Sequence, residues 1–377
     1  MRRLEDFYKK SGLENGEDLL GGKASGLYRL WDSGFKIPPT WVIPNISRVP
    51  TSNDRSLRDF AVQSVMPWSS NYNHFASHKF AVRSCGVDED GAEMSFAGQH
   101  LTLLNVDGKD VRTAIKDCRA SGKMGKRYKK AMTGKGGRVA PLSVLVQTMV
   151  PADTAGVMFT GNPATGDPDE CVIEEVDGLG DKLVDGTVNP DRRYTFKTRG
   201  DQPAQTSGPT EIPSYINYLR SYSSKFAKIL GRPADIEWAQ CNGALYFLQL
   251  RALTGVEWEP THLTGSSITN SKQRPFPNGF CPEVTGIVQR LPSLAPFKTG
   301  RILVTKMTTP HMIDEMVQSS GIITEIGGST CHAAIVAREL GKPCIVGCQE
   351  ADELSSSMLV KMNAETGEVT NYGINIG

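Results

Sequence analysis

The sequence predicts two successive folded parts: an α+β part reaching to about residue 254, and a smaller α/β part from about residue 276. Three observations carry this. Short apolar runs alternate with glycine turns and helical patterns through the first part. Residues 255–275 are polar and aperiodic. The last hundred residues hold a strand, a glycine turn, a helix and a second strand in immediate succession.

Taken in order, Gly21-Gly22-Lys23 through Leu30 reads as a glycine turn opening a helix, and Ile37-Pro38-Pro39-Thr40-Trp41-Val42-Ile43 as a turn into a strand. Phe80 to Ser84 and Ser143 to Met149 are short buried strands. Gly156 to Thr160 and Glu170 to Glu175 read as a further pair joined by a turn from Asn162-Pro163 to Gly166-Asp167. Ala234 to Trp238 and Ala244 to Arg251 form a hairpin around Asn242-Gly243. The polar stretch 255–275 is a linker. A flexible chain of that length spans roughly 25 Å by the square-root rule. Fully extended it reaches on the order of 65–70 Å.

Composition narrows the function. Lys plus Arg (42) balance Asp plus Glu (41), so no global field favours nucleic acid or a membrane surface. No apolar run approaches a membrane span, and the first residues lack the apolar core of a signal peptide. The eight cysteines are scattered without a C-x-x-C pair. Reduced thiols in a cytoplasmic enzyme are the expectation.

The most informative segment is Gly327-Gly328-Ser329-Thr330-Cys331-His332-Ala333-Ala334-Ile335-Val336-Ala337-Arg338-Glu339-Leu340. The apolar run Gly321 to Ile326 precedes it; the helix stop Gly341-Lys342-Pro343 and the strand Cys344 to Gly347 follow. This arrangement presents His332 on an exposed tip above a rigid backbone. Neutral imidazole is nucleophilic near pH 7. Spacing alone leaves two readings open, a nucleophile or a structural histidine at a helix start.

A second set of residues fits a nucleotide. Lys23 follows a glycine pair whose N–H groups could face phosphates, although a surface lysine at a turn is the commoner case. Arg83 lies inside an apolar strand and needs an anion or carboxylate partner. The stretch Ser95 to Thr102, with Gly98, could wrap a triphosphate or be an ordinary hairpin turn. Glu237 and Gln249 sit on the two strands of the hairpin and offer the hard oxygens that Mg²⁺ takes. Arg251, two residues beyond Gln249, shares its strand face.

The histidine segment closely resembles the phosphohistidine signature of the mobile domain in phosphoenolpyruvate synthase, pyruvate phosphate dikinase and rifampin phosphotransferase. Gly21-Gly22-Lys23, Ala81 to Ser84, Ser95 to Gln99, Leu104 to Val106, Val146 to Val150, Ala155 to Thr160, Gly178-Leu179-Gly180, Asp235 to Trp238 and Leu248 to Arg251 resemble that family's ATP-binding domain in its order. The resemblance implies an ATP-grasp-like nucleotide domain over 1–254, the linker over 255–275 and a swivelling phosphohistidine domain over 276–377. It implies that His332 carries a phosphoryl group taken from ATP with release of AMP and phosphate. Lys23, Arg83, Gly98, Thr102 and Arg251 would contact ATP, Glu237 and Gln249 would hold Mg²⁺, and Gln147 would lie near the adenine.

Three departures stand beside the resemblance. The region between Ile43 and Phe80 is short, His311 stands where the family has an aspartate, and nothing resembles the barrel or helical domain that binds the acceptor in those enzymes. The expectation is therefore a compact dikinase that passes its phosphoryl group to a small molecule bearing a hydroxyl, amide or guanidino group, plausible in specialised metabolism. The alternatives are a phosphocarrier whose acceptor site lies on a partner protein, and a degenerate binding protein. A homodimer fits either active reading. Thr330, two residues before His332, occupies a position that is a regulatory phosphorylation site in some relatives, and Arg338 is a candidate to steady a phosphorylated imidazole. His74 and His78 share helical spacing without a third ligand and read as surface residues.

Overall fold

The computed structural model describes residues 2–3, 20–44, 78–86, 101–121, 142–197, 205–207, 211–253, 256, 282–329 and 331–375. Two compact units result, one of residues 1–152 and 236–251, the other of residues 153–235 and 252–377. Apart from Val256, the stretch 255–275 lies outside the described residues.

The first unit begins with β1 (Arg2–Arg3), α1 (Gly22–Asp32), β2 (Thr40–Ile43), β3 (Lys79–Cys85), β4 (Thr102–Asp107), α2 (Val111–Ala120) and β5 (Ser143–Thr148). Its strands form an antiparallel sheet in the order β1-β2-β5-β3-β4. Period-two alternation divides the side chains between two faces. Trp41, Ile43, Phe80, Val82, Val144 and Val146 pack with Val111, Ala114 and Cys118 of α2 into a core. The opposite face carries Thr40, Ala81, Arg83 and Gln147, because Gln147 is paired with both Thr40 and Ala81. Helix α1 starts where Gly21 takes a φ of 91°, and a Cβ there would lie 2.5 Å from the Gly86 carbonyl oxygen. Only glycine satisfies both demands.

The second unit begins with β6 (Thr154–Phe159), β7 (Glu170–Asp177), the short α3 (Asp181–Val184), β8 (Arg192–Lys197), β9 (Gln205–Ser207), α4 (Ser214–Ser221) and α5 (Ser223–Leu230). Strands β6 to β9 pair antiparallel in sequence order. The β6–β7 turn is fixed by Asn162, whose Oδ1 accepts from Ala164 N at 2.8 Å. Val157, Phe159, Val172, Val176 and Leu183 fill the core beside these strands.

Strands β10 (Ala234–Cys241) and β11 (Ala244–Ala252) follow, and residues 236–251 of this hairpin complete the first unit. Asn242 and Gly243 take φ of 50° and 77°, the left-handed pair that a two-residue hairpin turn requires. The hairpin seats on the first unit through Phe247, edge-on to Phe35 at 5.0 Å, and through Leu250, whose carbonyl approaches Gly26 of α1.

The remainder of the second unit holds β12 (Glu283–Leu291), β13 (Ile302–Thr305), α6 (Ile313–Gln318), β14 (Gly321–Thr324), α7 (His332–Leu340), β15 (Cys344–Ile345), β16 (Met358–Asn363) and β17 (Glu368–Asn375). The sheet order is β15-β14-β13-β12-β16-β17, with β12 to β15 parallel and the last two strands antiparallel. Strands β13 and β14 are buried at every position, as parallel strands covered on both faces must be. The fold class is as the sequence predicts: an antiparallel α+β unit, and an α/β sheet bearing the histidine.

Candidate functional site

Four predicted residues meet in the first unit. Arg83 projects from β3, and its Nη2 donates to Glu237 Oε2 on β10 at 2.9 Å and to Gln249 Oε1 on β11 at 2.6 Å. Its Nη1 donates to the Leu248 carbonyl at 3.2 Å. Lys23, near the start of α1, donates from Nζ to the Ser84 carbonyl next to Arg83. All four side chains are buried. Burial alone would push the Glu237 carboxyl up, but Arg83, Arg251 and Lys23 outweigh it and hold the group below the usual carboxylate range. Three cations thus converge electrostatically on one carboxylate, a surplus suited to an anionic ligand.

Two further atoms indicate what that ligand supplies. Arg83 Nε and Gln249 Nε2 are buried with no hydrogen-bond partner among the described residues. Unmet buried donors are costly, and phosphate oxygens would satisfy them. The oxygens of Glu237 and Gln249 converge on one guanidinium nitrogen, so two hard oxygens face a single cation position. This donor set fits Mg²⁺ accompanied by phosphate. Thr102 is paired with Arg83 across β3–β4 and is exposed. Gln147 lies on the Arg83 face, buried, its amide donating to Thr40 Oγ1 at 3.2 Å. Gly98 lies outside the described residues.

In the second unit, His332 occupies the first turn of α7. Cys331 takes an extended backbone before it, and its Sγ accepts from Ala334 N. The tip expected for His332 is not exposed: the residue is 7% accessible. The reason is tertiary. Thr308, in the connection after β13, meets the ring with Oγ1 2.8 Å from Nδ1. Burial pushes the imidazole pKa down to about 4, so the ring is neutral at pH 7. Arg338 donates from Nη1 to the Ser329 carbonyl at 2.9 Å and braces the turn ahead of the histidine. Thr330 lies outside the described residues. Sequence reasoning missed Thr308, whose role depends on a contact made 24 positions away.

The turn with its oriented imidazole falls within residues 297–367, which match the family of PEP-utilising enzymes in their mobile domain. Arg83 and Gln147 fall within residues 62–213, which match the pyruvate phosphate dikinase AMP/ATP-binding domain. The two matches together take in more than half of the chain. The chain belongs to the phosphoenolpyruvate synthase and pyruvate phosphate dikinase family. Relatives in this family include a probable phosphoenolpyruvate synthase of Methanothermobacter thermautotrophicus, 36% identical over 77% of this chain and 46% of that protein. The phosphoenolpyruvate synthase of Pyrococcus furiosus is 33% identical over 77% of this chain and 40% of that one. The enzyme of the same name from Escherichia coli is 33% identical over 73% and 40%. This member of the family thus spans less than half the length of these curated relatives. Among solved structures, the ATP complex of D-alanine–D-alanine ligase from Bacillus anthracis superposes with a TM-score of 0.33 at 8% identity, over 66% of this chain and 63% of that one. No helix among the described residues is long and apolar enough to cross a membrane.

Proposed function

We propose that this protein is an ATP-dependent phosphotransferase of the dikinase type, with His332 as its phosphoryl carrier. The observation that carries the reading is the His332 imidazole itself: neutral, buried, and fixed at Nδ1 by Thr308. In the tautomer whose Nδ1–H donates to Thr308 Oγ1, the lone pair resides on Nε2. Nε2 attacks the β-phosphorus of ATP, the bond from that phosphorus to the oxygen of AMP breaks, and AMP departs. Hydrolysis of the resulting pyrophosphoryl group releases the γ-phosphate and leaves one phosphoryl on His332.

Lys23, Arg83 and Arg251 bind the triphosphate and stabilise charge that builds on the oxygens during transfer. Arg83 exchanges its contacts with Glu237 and Gln249 for phosphate, which satisfies its unmet Nε. Mg²⁺, held by Glu237 and Gln249 when bound, supplies further neutralisation of phosphate charge. Thr102 and Gly98 add contacts to the phosphates, and Gln147 lines the adenine end.

The acceptor is a small molecule with a hydroxyl, amide or guanidino group; the relatives' name adds the enol oxygen of a pyruvate-like acid to the candidates. The test is product analysis. The protein with Mg-ATP should form AMP, about one per chain without acceptor and continuously once the right acceptor is added, and His332→Ala should form none. A single burst that no small molecule turns over assigns the acceptor site to a separate protein. ADP in place of AMP would refute the dikinase chemistry.

A further inference from the structure

Glu174 lies in the buried stretch of β7 and is 1% accessible. A carboxylate buried there needs donors. Both hydrogen bonds it receives among the described residues come from Ser329: from N to Oε2 at 3.1 Å and from Oγ to Oε1 at 2.7 Å. Arg193, on β8, stands at 3.7 Å from Oε1. Ser329 belongs to the glycine turn that delivers His332. The same turn is held a second time by Asn189, whose Oδ1 accepts from Gly327 N at 2.9 Å. Steric fit completes the seat: a Cβ on Gly186 would lie 2.1 Å from that of Cys331. One on Gly328 would lie 3.0 Å from Glu174 Oε2.

We propose that Glu174 is a positioning residue for the loading of His332, acting through Ser329 to set the pose in which the imidazole receives its phosphoryl group. The proposal rests on the phosphocarrier reading above and adds a residue to it. A carboxylate that takes two donors from one residue fixes both the height and the rotation of the turn, and small displacements of a nucleophile cost large factors in rate. The neighbouring Glu175 shows the contrast. It is fully buried but receives Arg192, Tyr194 and Tyr215, all from the strands and helix around it, and so serves the core.

The test is a double-mutant cycle on the full chain, reading the single-turnover rate of acid-labile label on His332. Glu174→Gln turns an amide donor toward a donor and should slow loading by about tenfold to a hundredfold, with the KM for ATP unchanged. Ser329→Ala should slow it less, and the double variant should be no slower than Glu174→Gln, because the two residues act as one contact. Additive losses, or loading by Glu174→Gln at the wild-type rate, would overturn the proposal while leaving the carrier reading intact. An unlabelled wild type would instead refute that reading and the proposed role together. Amide exchange settles the contact apart from activity: Glu174→Gln should speed exchange across residues 327–331, and unchanged exchange overturns the proposal.

Discussion

The burial of His332 predicts an unusual titration. An ordinary histidine with a pKa near 6.5 is only about 9% neutral at pH 5.5, whereas one with a pKa of about 4 remains about 97% neutral. The nucleophilic form of His332 is therefore about tenfold more populated at pH 5.5 than in a solvated imidazole. The same displacement has a stability consequence. The folded ring binds a proton less readily than the unfolded one, so its contribution is fully present above pH 6.5 and is lost as pH falls toward 4. At about 1.4 kcal/mol for each pH unit, the loss amounts to on the order of 3 kcal/mol. The assay is an NMR titration of ring signals, with His332 assigned by its disappearance in His332→Gln, alongside urea unfolding at pH 7 and pH 5. The stability difference between the two pH values should shrink in the variant. A ring that titrates near 6.5, or a variant with undiminished pH dependence, would refute the burial argument.

Other perturbations have equally definite outcomes. Arg83→Ala leaves Glu237 buried without its guanidinium, so the first unit should lose about 3–5 kcal/mol, read by denaturant unfolding, and ATP affinity should fall; Arg83→Lys should not restore either, since one ammonium nitrogen cannot occupy the positions of both Nη1 and Nη2. Gly26→Ala places a Cβ 2.0 Å from the Leu250 carbonyl oxygen, so α1 and β11 must separate at a cost of about 1–3 kcal/mol, measurable as a lowered Tm. Thr308→Val removes the partner of His332 Nδ1 and should slow label uptake by about tenfold, with ATP affinity unchanged.

Much of this was legible in the sequence because its signals are local. The glycine turn, helix and flanking strands around His332 are written within thirty residues, and Asn242-Gly243 specifies its own turn. Arg83 was legible in a different way: a guanidinium in an apolar strand demands a partner, and that partner proved to be Glu237, 154 positions on. What local pattern could not carry was enclosure. Nothing in the segment of His332 announces that the ring will be buried or that Thr308 will meet it. Glu174 and Glu175 did leave a signal, two consecutive carboxylates directly after the apolar run Cys171-Val172-Ile173. Alternation sends them to opposite faces, so each needed its own donors, and those of Glu174 lie 155 positions away.

The destination of the β-phosphate of ATP decides whether His332 is a phosphoryl carrier. With ATP labelled at that phosphate and Mg²⁺ present, the label should appear on His332 as an acid-labile, alkali-stable adduct, matched by AMP and absent from His332→Ala. Label that stays in ADP, or that marks the alanine variant equally, would contradict that role.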